Sequence, residues 1–259
     1  MSPQPSMDDL DAMLRRLHLP TIRRLYPELV LRAEEEEMGY RSFLEILFAE
    51  EIAHRAQTRI TRSVRKAKFP FLRTIEEFDF TFQTSVRLKM LGSFLGPEFV
   101  SEARSAVLSG PPGRGKTHLA VAMAYRAIQN GFEARFTTAD QLIGDLSKAA
   151  AEARLDEALE PYVHPHVLVI DELGYQSYAP DAANVLYRVV NDRYLKARPM
   201  IVTTNKPLAA LGGLLHDGDL AEAILDRLLE RGTHLLLRGR SYRTRHLKPE
   251  SLDPDIHAA

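Results

Sequence analysis

A parallel α/β domain preceded by a small all-helical one is the fold class this sequence predicts, and three observations carry it. From about Ala103 onward, short apolar runs alternate with longer segments of helical period. One of those runs ends in a glycine-rich turn that opens a helix. Before about residue 70 the apolar residues instead recur at spacings of three and four. The chain has 259 residues, 45% hydrophobic and 27% charged, an ordinary globular balance. Its length suits one large domain or two small ones.

The elements follow in order. Leu10, Met13, Leu14 and Leu17 mark a first helix behind Asp8 and Asp9, a candidate N-cap pair. Pro20 punctuates it, and Ile22, Leu25, Leu29 and Val30 continue the period in a second helix. After the acidic run Glu34–Glu37 and a break at Gly39, Phe43, Leu44, Leu47 and Phe48 begin a third, with Ser42 as a possible cap. This helix extends through Arg55, Arg59, Arg62, Arg65 and Lys66, without an acidic residue between His54 and Lys68, until Pro70 stops it. A phenylalanine-rich stretch, with Phe71, Phe78, Phe80 and Phe82, reads as a boundary segment. Strands are expected near Ser105–Ser109, Ala134–Thr137, Val167–Ile170, Ile201–Thr204 and Thr233–Leu237. Helices are expected over Lys116–Asn130, Ala139–Ala158, Asp181–Lys196 and Leu220–Leu229. The domain expectation is therefore 1–70 helical, 71–102 connecting, 103–248 α/β, and a polar, frayed tail over 249–259.

Several functions are excluded early. Lys plus Arg number 34 and Asp plus Glu 35, a net charge of −1, so any nucleic-acid contact has to use local patches. There is no cysteine, hence no disulfide, thiol nucleophile or Cys-ligated zinc. No apolar run approaches the ~20 residues of a membrane span, and the polar, acidic start is unlike a secretory signal. The expected location is the cytoplasm. His164-Pro165-His166 reads as a loop before a strand rather than a metal site.

The glycine-rich turn is Gly110-Pro111-Pro112-Gly113-Arg114-Gly115-Lys116-Thr117, a P-loop pattern between a predicted strand and a predicted helix. Its glycines let backbone N–H groups turn toward phosphate oxygens, and the helix N-terminus adds positive potential there. Lys116 is expected to reach the β- and γ-phosphates of ATP, and the Thr117 hydroxyl to ligate Mg²⁺. His118 follows directly and completes the nucleotide-binding stretch.

The apolar strand Val167–Ile170 ends in Asp171-Glu172. Carboxyl ends of parallel strands carry ligand groups, so Asp171 is expected in the Mg²⁺ shell and Glu172 beside a water attacking the γ-phosphate. Such a pair could also be solvated loop residues, a reading that the P-loop upstream disfavours. A third strand ends in Thr203-Thr204-Asn205, where an amide can orient the water or touch the γ-phosphate. Together these strand ends describe a hydrolase-type P-loop ATPase more than a small-molecule kinase. Phe78 and Phe80 are candidates for an adenine pocket, core packing being the alternative.

The P-loop, the run Asp171-Glu172-Leu173-Gly174-Tyr175, the Thr-Thr-Asn205 end and Ile224-Leu-Asp-Arg227-Leu resemble AAA+ ATPases of the initiator and helicase-loader group. The resemblance is nearest to IstB-like transposition helper ATPases of insertion sequences, relatives of DnaC-like helicase loaders. Leu19-Pro-Thr-Ile-Arg23, Phe69-Pro-Phe71 and Phe78-Asp-Phe80 extend it into the N-terminal region, so that it spans about residues 10 to 248. It implies a five-stranded sheet of order 5-1-4-3-2, with the N-terminal domain serving DNA or transposase contact. It also implies ATP hydrolysis at subunit interfaces of a homo-oligomer on double-stranded DNA, and a transposase partner encoded by the same element. Arg227 matches the arginine that reaches into a neighbouring subunit's site, with Arg231 as the alternative. The segment after the last strand leaves little chain for a helical lid, which puts a lid-borne arginine in doubt; Arg243 is a partial substitute. The competing reading is a DnaC-like replicative helicase loader.

Two basic clusters are candidate DNA contacts. Arg55, Arg59, Arg62 and either Arg65 or Lys66 step by three or four residues onto one helix face. Arg238, Arg240, Arg243, Arg245 and Lys248 form the second. Lys148 and Arg154 are further candidates. Aromatics do not interleave regularly, so backbone tracking with little sequence specificity is expected.

Overall fold

The computed structural model describes residues 7–175 and 178–246. Lys248 and the expected tail lie outside them. The chain divides into two compact units, Met1–Arg62 and Ser63–Ala259.

The first unit is helical: α1 (Met7–Arg16), α2 (Pro20–Glu35) and most of α3 (Tyr40–Ala67). Pro20 sits at the first position of α2, where its missing N–H costs nothing. Leu14, Ile22, Leu29 and Leu47 are buried together, with Leu19, Leu25, Tyr26 and Phe43 against them. Leu19, which precedes α2, offers no capping side chain. The cap comes from α3: the buried Glu51 carboxylate accepts from the backbone N–H groups of Thr21 (2.9 Å) and Ile22 (3.1 Å). Arg55 donates to the same carboxylate at 2.8 Å and also to the His18 carbonyl. Burial pushes the Glu51 carboxyl upward, but Arg55 and the two backbone donors outweigh it and hold it below its ordinary value. Arg55 is thus engaged inside this unit. Arg59, Arg62, Arg65 and Lys66 are exposed along α3 and, among the described residues, form no ion pair.

In the second unit the chain first packs Ile75, Phe78, Val86 and Leu91. It continues through the short helices α4 (Gly92–Leu95) and α5 (Glu98–Ser101), whose Phe94 and Phe99 rings meet edge-on at 5.6 Å. A five-stranded sheet follows: β1 (Ala106–Ser109), β2 (Ala134–Thr138), β3 (Val167–Leu173), β4 (Met200–Thr204) and β5 (Thr233–Leu236). The strands are all parallel in the order β2-β3-β4-β1-β5, the expected topology. β1 and β4 are buried throughout because helices cover both faces, which is why they read as unbroken apolar runs. β5 is an edge and shows only Leu235 buried.

The connections are α6 (Lys116–Gln129), α7 (Ala139–Ala151), α8 (Leu155–Val163), α9 (Ala182–Leu195), α10 (Leu211–Leu215) and α11 (Gly218–Leu229). The single helix expected over 139–158 is instead two. Ala153 takes a left-handed conformation (φ 54°), and the Arg154 N–H returns to the Ala149 carbonyl at 2.8 Å, closing α7. The break redirects the chain so that Leu159, Tyr162 and Val163 of α8 enter the core. Arg154 is paired with Glu152. After β5, the described residues 237–246 form turns and no helix. No described helix is long and apolar enough to cross a membrane.

One buried cation braces the sheet. Arg193 of α9 is 0% exposed. Its guanidinium donates to the carbonyls of Tyr162 (2.8 Å), Pro165 (2.9 Å), His166 (2.8 Å) and Pro199 (2.8 Å). No carboxylate is among these partners. Burial lowers its pKa, and the charge is held by carbonyl dipoles from the entries to β3 and β4. Replacing Arg193 with Met should leave those carbonyls without donors and cost roughly 3 kcal/mol or more. Urea unfolding should show the loss as a lower midpoint with an unchanged slope.

Candidate nucleotide site

β1 delivers the chain into the P-loop, and the loop's glycines are demanded by close approaches. At Gly110 (φ 138°) a Cβ would lie 2.1 Å from the Leu237 carbonyl oxygen. At Gly115 (φ 90°), which precedes α6, a Cβ would lie 2.6 Å from the Phe78 ring. A side chain is strained at both φ values, so these positions carry the loop's shape. Lys116, 6% exposed, donates to the carbonyls of Gly110 (2.6 Å) and Pro111 (2.9 Å). Burial is the main reason its pKa falls to about 8. The Asp171 charge opposes that fall, while Arg114 and Arg243 add to it.

At the second residue of α6, the Thr117 hydroxyl lies 3.0 Å from each oxygen of Asp171 near the end of β3. The Thr203 hydroxyl of β4 reaches Asp171 Oδ1 at 2.5 Å. Asp171 is buried, and burial raises its carboxyl pKa against the two hydroxyls and Lys116. Glu172, by contrast, is exposed and left-handed (φ 63°), and it lines the cavity.

That cavity has a volume of about 560 Å³, within the usual range for small-molecule sites. Gly113–Thr117 form its floor and Glu172, Tyr175 and Thr203 one side. Phe78 and His118 form another, ring to ring at 5.2 Å, with His118 Nε2 donating to the Thr74 carbonyl at 2.9 Å. Phe80 stacks edge-on against Phe78 at 4.8 Å and does not line the cavity.

The segment after β5 straps across the loop. The Tyr242 N–H donates to the Gly113 carbonyl at 2.8 Å, and the Tyr242 ring meets Phe82 at 5.3 Å. The Arg245 guanidinium lies 3.9 Å over Tyr242. Gln83 donates to the Arg114 carbonyl at 3.2 Å and accepts from Ser85, whose hydroxyl in turn accepts from the Arg238 N–H.

The structure therefore gathers Gly113–Thr117, His118 and Glu172 around one space, with Asp171 tied to it through the Thr117 hydroxyl, Gly110 and Pro111 accepting from Lys116 and Pro112 accepting from Arg114. Three of the arginines read as a DNA cluster, Arg240, Arg243 and Arg245, line this same cavity, whereas Arg238 does not. Asn205 does not line it; its Oδ1 is buried without a partner among the described residues. Arg227 lies away from this cavity, donating to Asn191 (3.1 Å) and the Tyr187 hydroxyl (3.0 Å), with its guanidinium 4.9 Å over the Tyr187 ring. Arg231 is 3.6 Å from Glu230. Sequence reasoning missed Thr203, Gln83 and Tyr242. Only the polar character of the β4 end pointed toward Thr203.

The donor set fits a nucleotide polyphosphate with a divalent cation. A buried lysine and a glycine-shaped loop at a helix N-terminus suit phosphate oxygens. A hydroxyl and a carboxylate 3.0 Å apart are hard oxygen donors of the kind Mg²⁺ takes.

A P-loop at the end of β1, a carboxylate pair on β3 and a 2-3-4-1-5 sheet define a protein of the P-loop nucleotide-binding class. The chain belongs to the IstB-like ATP-binding family, whose model matches residues 12–250. It is 38% identical over 237 residues to a Pseudomonas aeruginosa protein named for ATP binding and for insertion sequence IS21, covering 92% of this chain and 89% of that one. A Geobacillus stearothermophilus protein named likewise for insertion sequence IS5376 is 37% identical, covering 89% and 91%. Among solved structures, DnaI is similar with a TM-score of 0.55 and 19% identity, covering 64% of this chain and 91% of that one. DnaA from Aquifex aeolicus bound to AMPPCP has a TM-score of 0.52 and 20% identity, covering 64% and 49%. These two likenesses bear on the fold alone.

The depressed Lys116 sets a pH dependence. Below a pKa of about 8 the lysine is charged in the free protein, and a phosphate would meet it already in that form. Above it, binding has to take up a proton, because phosphate favours the charged form. The ATP Kd should therefore weaken as pH rises past 8, by up to about 10-fold per unit. Equilibrium titrations with ATP on either side of that pKa check this, and a flat profile would contradict it.

Proposed function

We propose that this chain is an ATP-hydrolysing DNA-transposition helper that assembles as a homo-oligomer on double-stranded DNA and stimulates a transposase encoded by the same element. The observation that carries the reading is the P-loop facing the Asp171-Glu172 strand end, in a family whose members are named for insertion sequences. The cytoplasm is the matching location.

In this reading the ATP phosphates lie along Gly113–Thr117 with Lys116 beside the β- and γ-groups. Thr117 and Asp171 would hold Mg²⁺, which would neutralise charge on the phosphates. Glu172, exposed to the cavity, takes a proton from water as its oxygen bonds to the γ-phosphorus. The bond from that phosphorus to the β-bridging oxygen breaks, and the products are ADP and phosphate. Asn205 stands outside the cavity lining, and its unpartnered Oδ1 would have to turn inward to orient that water. Arg240, Arg243 and Arg245 offer positive charge in cis. Arg227, held stiffly by Tyr187 and Asn191, completes the site of a neighbouring subunit, Arg231 being the alternative. The exposed Arg59, Arg62, Arg65 and Lys66 follow the phosphate backbone of DNA, with a strong salt dependence.

Two substitutions test this reading. Lys116→Ala should abolish ATP binding. Glu172→Gln should keep ATP binding, slow turnover by roughly 10²–10⁴-fold, and leave ATP-dependent assemblies trapped on duplex DNA in sizing experiments. Turnover by Glu172→Gln at the wild-type rate would remove Glu172 from the chemistry. Assemblies only on single strands would favour the helicase-loader reading.

A further inference from the structure

The ladder between β3 and β4 breaks at the candidate site. Ile170 pairs with Val202 and Leu173 with Thr204, so two residues of β3, Asp171 and Glu172, stand opposite the single residue Thr203. This is a β-bulge, and it leaves the Glu172 N–H without a strand partner. Its φ of 63° is costly for a residue with a side chain. One side chain serves both needs. The Thr203 hydroxyl accepts from the Glu172 N–H at 3.0 Å and donates to Asp171 Oδ1 at 2.5 Å. Thr203 is 1% exposed, so water does not substitute for it freely.

We propose that Thr203 is the positioning residue of this site: its hydroxyl locks the bulge that turns Glu172 toward the cavity while Asp171 stays beside Thr117. Without the bulge, side chains alternate along β3, and Asp171 and Glu172 would point to opposite faces of the sheet. The bulge re-aims the second carboxylate, and the Thr203 hydroxyl, accepting on one side and donating on the other, serves both residues at once. Valine has the same shape as threonine but lacks that group, whereas serine keeps it.

The role in hydrolysis rests on the function proposed above; the lock itself does not, and the two are separated by measuring both in the full-length chain. In the free protein, hydrogen exchange at the Glu172 amide should be slow. It should accelerate by about 10-fold or more in Thr203→Val and stay near wild type in Thr203→Ser. With Mg²⁺ and ATP, Thr203→Val should lose roughly 10–100-fold in kcat. Its ATP Kd should stay within about 3-fold of wild type, since Lys116 and the P-loop are untouched, and Thr203→Ser should restore kcat. Thr203→Ala carries the same test should the valine variant fail to fold. Slow Glu172 exchange in the valine or alanine variant, or wild-type kcat in either, overturns the proposal. A wild-type chain that fails to turn over ATP overturns the proposed function instead, and amide exchange then decides on the lock alone.

Discussion

The buried carboxylate of Asp171 is the joint on which the site depends. It accepts from Thr117 on the helix that follows β1 and from Thr203 on β4, and it sits at the end of β3. Three elements distant in sequence are fixed to one another through two oxygen atoms. Burial raises the cost of the charge, and the hydroxyls and Lys116 offset it in part. A cation between Thr117 and Asp171 would take over the remaining imbalance, so an arrangement costly in the free protein is suited to a charged ligand.

Around that joint, the sheet is braced from the opposite end. Arg193 gathers carbonyls at the entries to β3 and β4, while Asp171 and Thr203 meet at their exits. The P-loop is held from outside by chain that comes before and after the α/β core. Phe78 and Gln83 reach it from the preceding chain and Leu237 and Tyr242 from the following chain. The basic strap therefore shares its charge with the nucleotide cavity, an arrangement in which occupancy of the cavity and the electrostatics of the strap are coupled.

Much of this was legible in the sequence for definite reasons. The P-loop is a local motif whose spacing carries its own chemistry, and Asp171-Glu172 closes an apolar run that only a buried strand explains. The strand order followed from the family resemblance and not from periodicity. The two-helix break at Ala153 was hidden because alanine and glutamate favour helix, and tertiary packing of Leu159 and Tyr162 overrode that propensity. The role of Thr203 depends on a one-residue register shift between strands, which no local pattern encodes. Arg240, Arg243 and Arg245 read as a free basic stretch because the fold-back that brings them to the P-loop rests on a backbone bond between Tyr242 and Gly113, far apart in sequence. Arg55 likewise read as one of a surface series, while its partner Glu51 was hidden one turn earlier as the cap of another helix.

The most direct test of the proposed function, that this cavity turns over ATP and that duplex DNA stimulates the turnover, is the rate of ATP turnover by the purified chain with Mg²⁺, alone and with double- or single-stranded DNA. The account predicts turnover that rises on duplex DNA and is lost as salt increases. Turnover that ignores duplex DNA, or responds only to single strands, would contradict it.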